Sequence, residues 1–233
     1  MRVIVPFDPS DPNTRLSSLL SPAERREFAT AMLRDVLAAV REAGGQPTVL
    51  STTTLDEAPT SRDDSPINRD EAPTGRDENG DASSVVADVP VTVDDRPLST
   101  AVNDAIAEEL PAAVVMADLA LATPTALSRL FATEGDVVIA PGRGGGTNAL
   151  VVRHPDFAVD YHGVSFADHI DAAEAVGASV STVDSFRLGV DVDEPADVLD
   201  LLVQGDGAAA AWLRDAGFRV AVEDGDPTVV RED

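Results

Sequence analysis

Two aspartates two residues apart, Asp191 and Asp193, follow the apolar run Leu188-Gly189-Val190, and a third, Asp118, follows Ala113-Val114-Val115-Met116. On an extended segment alternate side chains share a face, so Asp191 and Asp193 point the same way. Like charges side by side call for a cation. Three carboxylates at strand ends, in a chain with no cysteine, suit a hard ion such as Mg2+, one or two of them, held with water and substrate phosphates. Nucleotide chemistry is the corresponding expectation. Each carboxylate also has a plainer role open to it: Asp118 capping a turn, Asp193 capping a helix that opens at Glu194-Pro195, and Asp191 solvated. Zinc is poorly supported. The only histidines are His154, His162 and His169, and the last two are seven apart on either side of a helix start.

Two segments could receive an anion. Pro141-Gly142-Arg143-Gly144-Gly145-Gly146-Thr147-Asn148 offers bare glycine amides and one arginine. It is not a P-loop, because it lacks the lysine and leads into a strand; a connector that needs positive φ explains it as well. The second segment, Tyr161-His162-Gly163-Val164-Ser165-Phe166, meets a helix start where free amides, a hydroxyl and the positive dipole end favour negative charge. Helix capping explains Ser165 equally well.

The elements that must position these groups alternate. β-like runs are expected at 2–6, 47–51, 85–93, 112–117, 136–140, 147–153, 179–184 and 187–190, mostly continuous apolar segments of the kind covered on both faces. Ser21-Pro22-Ala23-Glu24 reads as a capping box opening a helix that stops at Gly44-Gly45. Thr123-Pro124 opens another, and Ser165-Phe166-Ala167-Asp168 a third that ends at Gly177. Strands alternating with helices predict an α/β fold with a doubly wound, mainly parallel sheet, and ligands beyond the carboxyl ends of its strands. Residues 56–84 nearly duplicate themselves, as Asp56-Glu57-Ala58-Pro59-Thr60 and Asp70-Glu71-Ala72-Pro73-Thr74, and hold too little apolar surface to offset ordering entropy. A disordered acidic insertion in one 233-residue domain, with a short extension over 206–233, is the expected organisation.

Composition narrows the partners. The chain carries 42 acidic and 17 basic residues, all of the latter arginine, for a formal charge of −25. No basic stripe is available for nucleic acid. A carboxylate-covered surface is suited to a salty cytoplasm, where self-repulsion is screened; unfolding in low salt would separate this from an ordinary acidic protein. No apolar stretch approaches the roughly 20 residues of a membrane span, and no export signal is visible. A cytoplasmic protein with no membrane partner is expected.

With these motifs in this order, the chain resembles the 2-phospho-L-lactate guanylyltransferases of coenzyme F420 biosynthesis, relatives of the molybdopterin guanylyltransferase and sugar-phosphate nucleotidyltransferase fold. The residues that carry the resemblance are Thr14-Arg15-Leu16-Ser17-Ser18-Leu19-Leu20-Ser21-Pro22, Ala31 to Leu37, Ala117-Asp118-Leu119, Gly146-Thr147-Asn148-Ala149-Leu150, Ser165-Phe166 and Asp191-Val192-Asp193-Glu194-Pro195. The resemblance implies a nucleotide-diphospho-sugar transferase type of sheet and a reaction of GTP with 2-phospho-L-lactate. Asp118, Asp191 and Asp193 would hold the metal, with Asp118, Asp193 and Arg15 central to catalysis. Thr147, Asn148, His162, Gly163 and Ser165 would receive the phospho-acid, and Pro6, Phe7, Arg15, Ser99 and Asn103 the nucleotide. It also implies a homodimer. The chain departs from the family in three places: no lysine in the first loop, Pro97-Leu98-Ser99 where Gly-Leu-Asn is usual, and His162 where many relatives have glycine. The same fold would also accommodate phosphoenolpyruvate, a sugar phosphate or molybdopterin as acceptor, and a non-catalytic nucleotide-binding assembly protein is the reading from another class.

Overall fold

The computed structural model describes residues 1–55, 88–223 and 225–232. The insertion expected at 56–84 lies outside the described residues. Seven strands, β1 (Arg2–Phe7), β2 (Gln46–Ser51), β3 (Val91–Val93), β4 (Ala112–Val115), β5 (Val137–Pro141), β6 (Thr147–Val152) and β7 (Val180–Thr182), form one sheet in the order β3-β2-β1-β4-β6-β5-β7. All pairings are parallel except those of β6, which runs antiparallel to β4 and β5. That reversal has a consequence for the site. Because β6 runs backwards, its first residues, Thr147 and Asn148, stand at the edge where β1 and β4 end.

Alternation along the central strands supplies two apolar layers. Val3, Val5, Phe7, Ala113 and Val115 face α1 (Pro22–Glu42), whereas Ile4, Ala112 and Val114 face α2 (Leu98–Glu108) and α4 (Ser165–Ala175). Each fully buried Val, Leu or Ile stabilises the fold by about 1.5–3 kcal/mol relative to an exposed one. The predicted capping box is present: Ser21 Oγ accepts from the Glu24 amide at 3.3 Å and Glu24 Oε2 accepts from the Ser21 amide at 2.8 Å. The helix stops before Gly44, whose φ of +81° suits glycine. Thr123 caps α3 (Pro124–Ala132) as expected.

Three expectations are corrected. Residues 187–190 do not form a strand: Phe186–Gly189 is a helical turn, α5, in which the Leu188 and Gly189 amides donate to the Ser185 carbonyl. Short apolar runs do not distinguish strand from helix, and here a buried Leu188 serves equally well in a turn. Ser165 is the first helical residue of α4 and makes no cap; Val164 is the N-cap. Asp193 likewise does not cap α6 (Pro195–Gln204), because Glu194 and Asp197 form that capping box.

The tail forms α7 (Ala208–Asp215) and a hairpin, β8 (Phe218–Glu223) with β9 (Asp226–Arg231), as a separate two-stranded sheet. It closes on its own chain, with Trp212 stacked at a tilt on Phe28 of α1, ring centroids 5.4 Å apart. Asp35 of α1 accepts from the amides of Ala208 and Ala209 at 2.7 and 2.9 Å, and burial raises its pKa. Gly207 leaves the room for this, since a Cβ there would lie 2.5 Å from the Asp35 carboxylate. We expect Asp35→Ala, which leaves two amides unpaired, to cost about 1–3 kcal/mol. Thermal melting measures it, and an unchanged midpoint would mean that water replaces the carboxylate without loss.

Candidate active site

Three segments meet at the carboxyl edge of the sheet. The Asp118 carbonyl accepts from the Val192 amide at 3.1 Å, bringing the turn after β4 against the Asp191–Asp193 segment. Asn13, in the left-handed region at φ 50°, donates from Nδ2 to the Val192 carbonyl at 3.1 Å and ties the first loop to the same segment. Asn148 donates from Nδ2 to the Leu188 carbonyl at 3.0 Å and to Asp191 Oδ1 at 3.2 Å. Gly142 makes that geometry possible, for a Cβ there would stand 2.4 Å from Asn148 Oδ1. Asp118 is thus held through its carbonyl and Asp191 through one carboxylate oxygen, which leaves the rest of each carboxylate uncommitted.

The electrostatics follow from this convergence. Burial, then the charge of Asp191, pushes the Asp118 carboxyl up to about 7, with Asp193 and Asp197 adding to the effect. Asp118 Oδ1 is buried and accepts no hydrogen bond. Burial and Asp191 also raise Asp193, against the opposing charge of Arg15, which donates to Asp193 Oδ2 at 2.6 Å. Among the described residues no three His, Asp or Glu side chains are already arranged as a metal cluster. Even so, an unpartnered buried oxygen among like charges is the donor set that a divalent cation relieves, and hard oxygen ligands match Mg2+.

On one side of the cluster, a cavity of about 450 Å3 opens at the ends of β1, β2 and β4. Pro6, Phe7 and Asp118 line it, together with Asp8, Asn13, Thr52, Asp94, Arg96 and Met116. The sequence reading missed Asp8, Thr52, Asp94 and Arg96. Arg96 forks onto Asp94, from NH2 to Oδ2 at 2.6 Å and Nε to Oδ1 at 2.9 Å, so the cavity wall carries a fixed ion pair. Ser99 and Asn103 do not line the cavity. Ser99 Oγ accepts from the Tyr161 amide at 2.9 Å, and Asn103 exchanges two hydrogen bonds with the Val159 backbone at 2.8 and 2.9 Å. Both hold the 159–161 segment.

On the other side of the cluster, the glycine loop docks on the start of α4. The Phe166 amide donates to the Gly145 carbonyl at 3.1 Å, and the Thr147 amide donates to Ser165 Oγ at 2.9 Å. Thr147 and Ser165 are both buried. Gly163 adopts φ +52° with open space where a Cβ would project, and the exposed His162 ring turns onto Asp160. Arg143 is committed elsewhere: it pairs with Asp197 and Asp200 of α6. Asp118 therefore lines a nucleotide-sized cavity, and Asp191 is tied through Asn148 to the strand that begins at the buried Thr147.

Comparison with known proteins shows the family and the fold. The family described as "Guanylyl transferase CofC like" matches residues 1–54 and 75–231. A protein of Halobacterium salinarum named 2-phospho-L-lactate guanylyltransferase is 54% identical over 234 residues, covering 100% of this chain and 99% of its own length. One of that name from Halomicrobium mukohataei is 51% identical over 232 residues, covering 99% of this chain and 100% of its own. Among solved structures, a proposed nucleotide-diphospho-sugar transferase from Desulfovibrio desulfuricans superposes with a TM-score of 0.66 at 13% identity, covering 92% of this chain and 94% of that one. At that identity the likeness concerns the fold, and it is the fold expected from the alternating strands and helices.

Proposed function

Because this chain belongs to the guanylyl transferase CofC-like family, we propose that it joins GTP to 2-phospho-L-lactate, giving lactyl-2-diphospho-5'-guanosine and pyrophosphate in coenzyme F420 biosynthesis. The geometric support is that Asp118 lines the cavity while Asn148 ties Asp191 to the start of β6, where the Thr147 amide donates to Ser165 Oγ. GTP occupies the cavity along Pro6 and Phe7. The phospho-acid lies against Thr147, Ser165 and the backbone of 162–163, with Asn148 holding Asp191 beside it. Ser99 and Asn103 act one step removed, through the 159–161 segment.

A phosphate oxygen of the acceptor forms the new bond to the α-phosphorus of GTP as the bond to the β-phosphate bridging oxygen breaks, and pyrophosphate leaves with that electron pair. The attacking phosphate is already ionised at neutral pH, so the step needs no strong general base. Asp118, Asp191 and Asp193 would hold Mg2+, one or two ions, which when bound neutralises charge shared by the triphosphate and the acceptor. Arg15 moves from Asp193 to the triphosphate, where its paired donors spread the remaining charge. Positioning of two anions in line is the rest of the catalysis.

Among the described residues no helix is long and apolar enough to cross a membrane. The same reading includes a cytoplasmic homodimer. Pyrophosphate release from GTP, Mg2+ and 2-phospholactate tests the activity, with parallel arms in which ATP replaces GTP and phosphoenolpyruvate or a sugar phosphate replaces the acceptor. We expect turnover with GTP and phospholactate. Turnover confined to another acceptor would redirect the assignment within the fold, and none with any pair would remove it.

A further inference from the structure

His169 is fully buried on α4, one turn beyond Ser165, and no step of the transfer requires it. Its ring meets Tyr161 edge-on with centroids 5.1 Å apart, and Phe157 at 6.1 Å. Burial lowers its pKa against the opposing charges of Asp160 and Asp168, which favours the neutral imidazole. A neutral imidazole has one donor nitrogen and one acceptor nitrogen. The surroundings decide which is which. Nε2 lies 2.9 Å from the Asp160 amide, which can only donate, so Nε2 is the acceptor and Nδ1 carries the hydrogen. Nδ1 lies 2.9 Å from Thr147 Oγ1 and must donate to it.

The Thr147 hydroxyl is therefore occupied as an acceptor from within the protein, and its own hydrogen is left to point at something else. Ser165 is in the same condition, because its Oγ accepts from the Thr147 amide. We propose that His169 is a positioning residue for acceptor binding: held in the Nδ1–H form by the Asp160 amide, it commits the Thr147 hydroxyl to donate to an anionic oxygen of the phospho-acid. This rests on the reading above that the phospho-acid lies against Thr147. The benefit is preorganisation, since a hydroxyl rotor already set as a donor has no competing internal acceptor to leave when the anion arrives.

Two measurements test it. The chain has three histidines, so ring 15N spectra of the full protein are simple, and the His169 signals are those lost in His169→Asn. The expected pattern is a protonated Nδ1 and a bare Nε2; a protonated Nε2 overturns the proposal. In kinetics, His169→Phe keeps the ring and removes both nitrogens. Its KM for 2-phospholactate is expected to rise about tenfold, the cost of roughly one charge-assisted hydrogen bond, while the KM for GTP stays within about twofold. His169→Asn, which can return an N–H near the Nδ1 position, should recover part of the loss. Introduced into a Thr147→Val background, His169→Phe should add nothing further, because the effect travels through the hydroxyl. An equal rise in both KM values, or full additivity in the double variant, would show a merely structural role and sink the idea. If His169→Phe does not fold, the tautomer and the Asn variant still decide. A parent protein that turns over no phospholactate would instead refute the activity, while leaving the tautomer readable.

Discussion

Asp118→Asn is expected to lower kcat/KM for guanylyl transfer by about three orders of magnitude or more, roughly 4 kcal/mol of transition-state stabilisation, and at the same time to raise the stability of the metal-free protein. The two effects have one cause. Asp118 sits among Asp191, Asp193 and Asp197 with one oxygen buried and unpartnered, and its carboxyl is pushed from 3.8 up to about 7. A carboxyl raised in this way keeps its proton in the native state over a pH range in which the unfolded chain has lost it. Between 3.8 and about 7 the native state therefore binds more protons, and stability falls as pH rises through that window and remains lower above it. Asparagine has no proton to lose. The variant's advantage should be absent at the acid end of the window and complete by pH 8, in thermal melts with chelator present. Pyrophosphate release gives the other half of the prediction. Full activity would remove Asp118 from the reaction, and a less stable variant would mean that its carboxylate makes a favourable contact in the ligand-free fold.

The parts of this site that could be read in advance are those whose cause is local. Ser21, Pro22 and Glu24 satisfy helix amides within one turn, and Asp191 and Asp193 stand close enough in the chain that the charge of Asp191 raises the Asp193 carboxyl. The mainly parallel sheet followed from continuous apolar strands, and the Asp118 and Asp191–Asp193 segments meet at its carboxyl edge. What was not legible depends on sheet order. Asp8, Thr52 and Asp94 with Arg96 come from three separate segments, and only the neighbouring placement of β1, β2 and β3 brings them to one cavity wall. The reversal of β6 was also hidden, yet it carries Thr147 and Asn148 to the edge occupied by Asp118. Ser165 illustrates the limit most clearly. Its spacing before Asp168 fits a capping box, but the hydroxyl instead accepts from Thr147, 18 residues away in the chain. A long-range contact won over the local motif because the Thr147 amide would otherwise be buried without a partner. The tail carries a local signal of its own: Phe218 to Val222 alternates ahead of Gly225, as a hairpin strand does.

Transfer from 1 M to 0.1 M KCl is expected to bring the protein close to unfolding at room temperature, on account of its charge and size. As an upper bound, a sphere of roughly 22 Å radius, the size for 233 residues, with a net charge of −25 spread over its surface repels itself. With a Debye length of about 3 Å in 1 M salt the self-energy is of order 7 kcal/mol, and with about 10 Å in 0.1 M it is of order 18 kcal/mol. The unfolded chain spreads the same charge over a larger volume and gains less. The difference of up to about 10 kcal/mol is as large as the whole stability of an ordinary domain. Arginine pairs such as Arg2 with Glu108 and Arg231 with Glu24 offset only part of it, because exposed pairs contribute little each. Circular dichroism along a descending salt series should show cooperative loss of helix, and sedimentation at the high-salt end should give twice the 24.3 kDa chain mass if the dimer forms. Sodium chloride should protect as well as potassium chloride at equal ionic strength, since the effect is screening. A melting temperature independent of salt down to 0.1 M would mean that the carboxylates are neutralised within the fold, and the saline adaptation inferred from composition would fail with it.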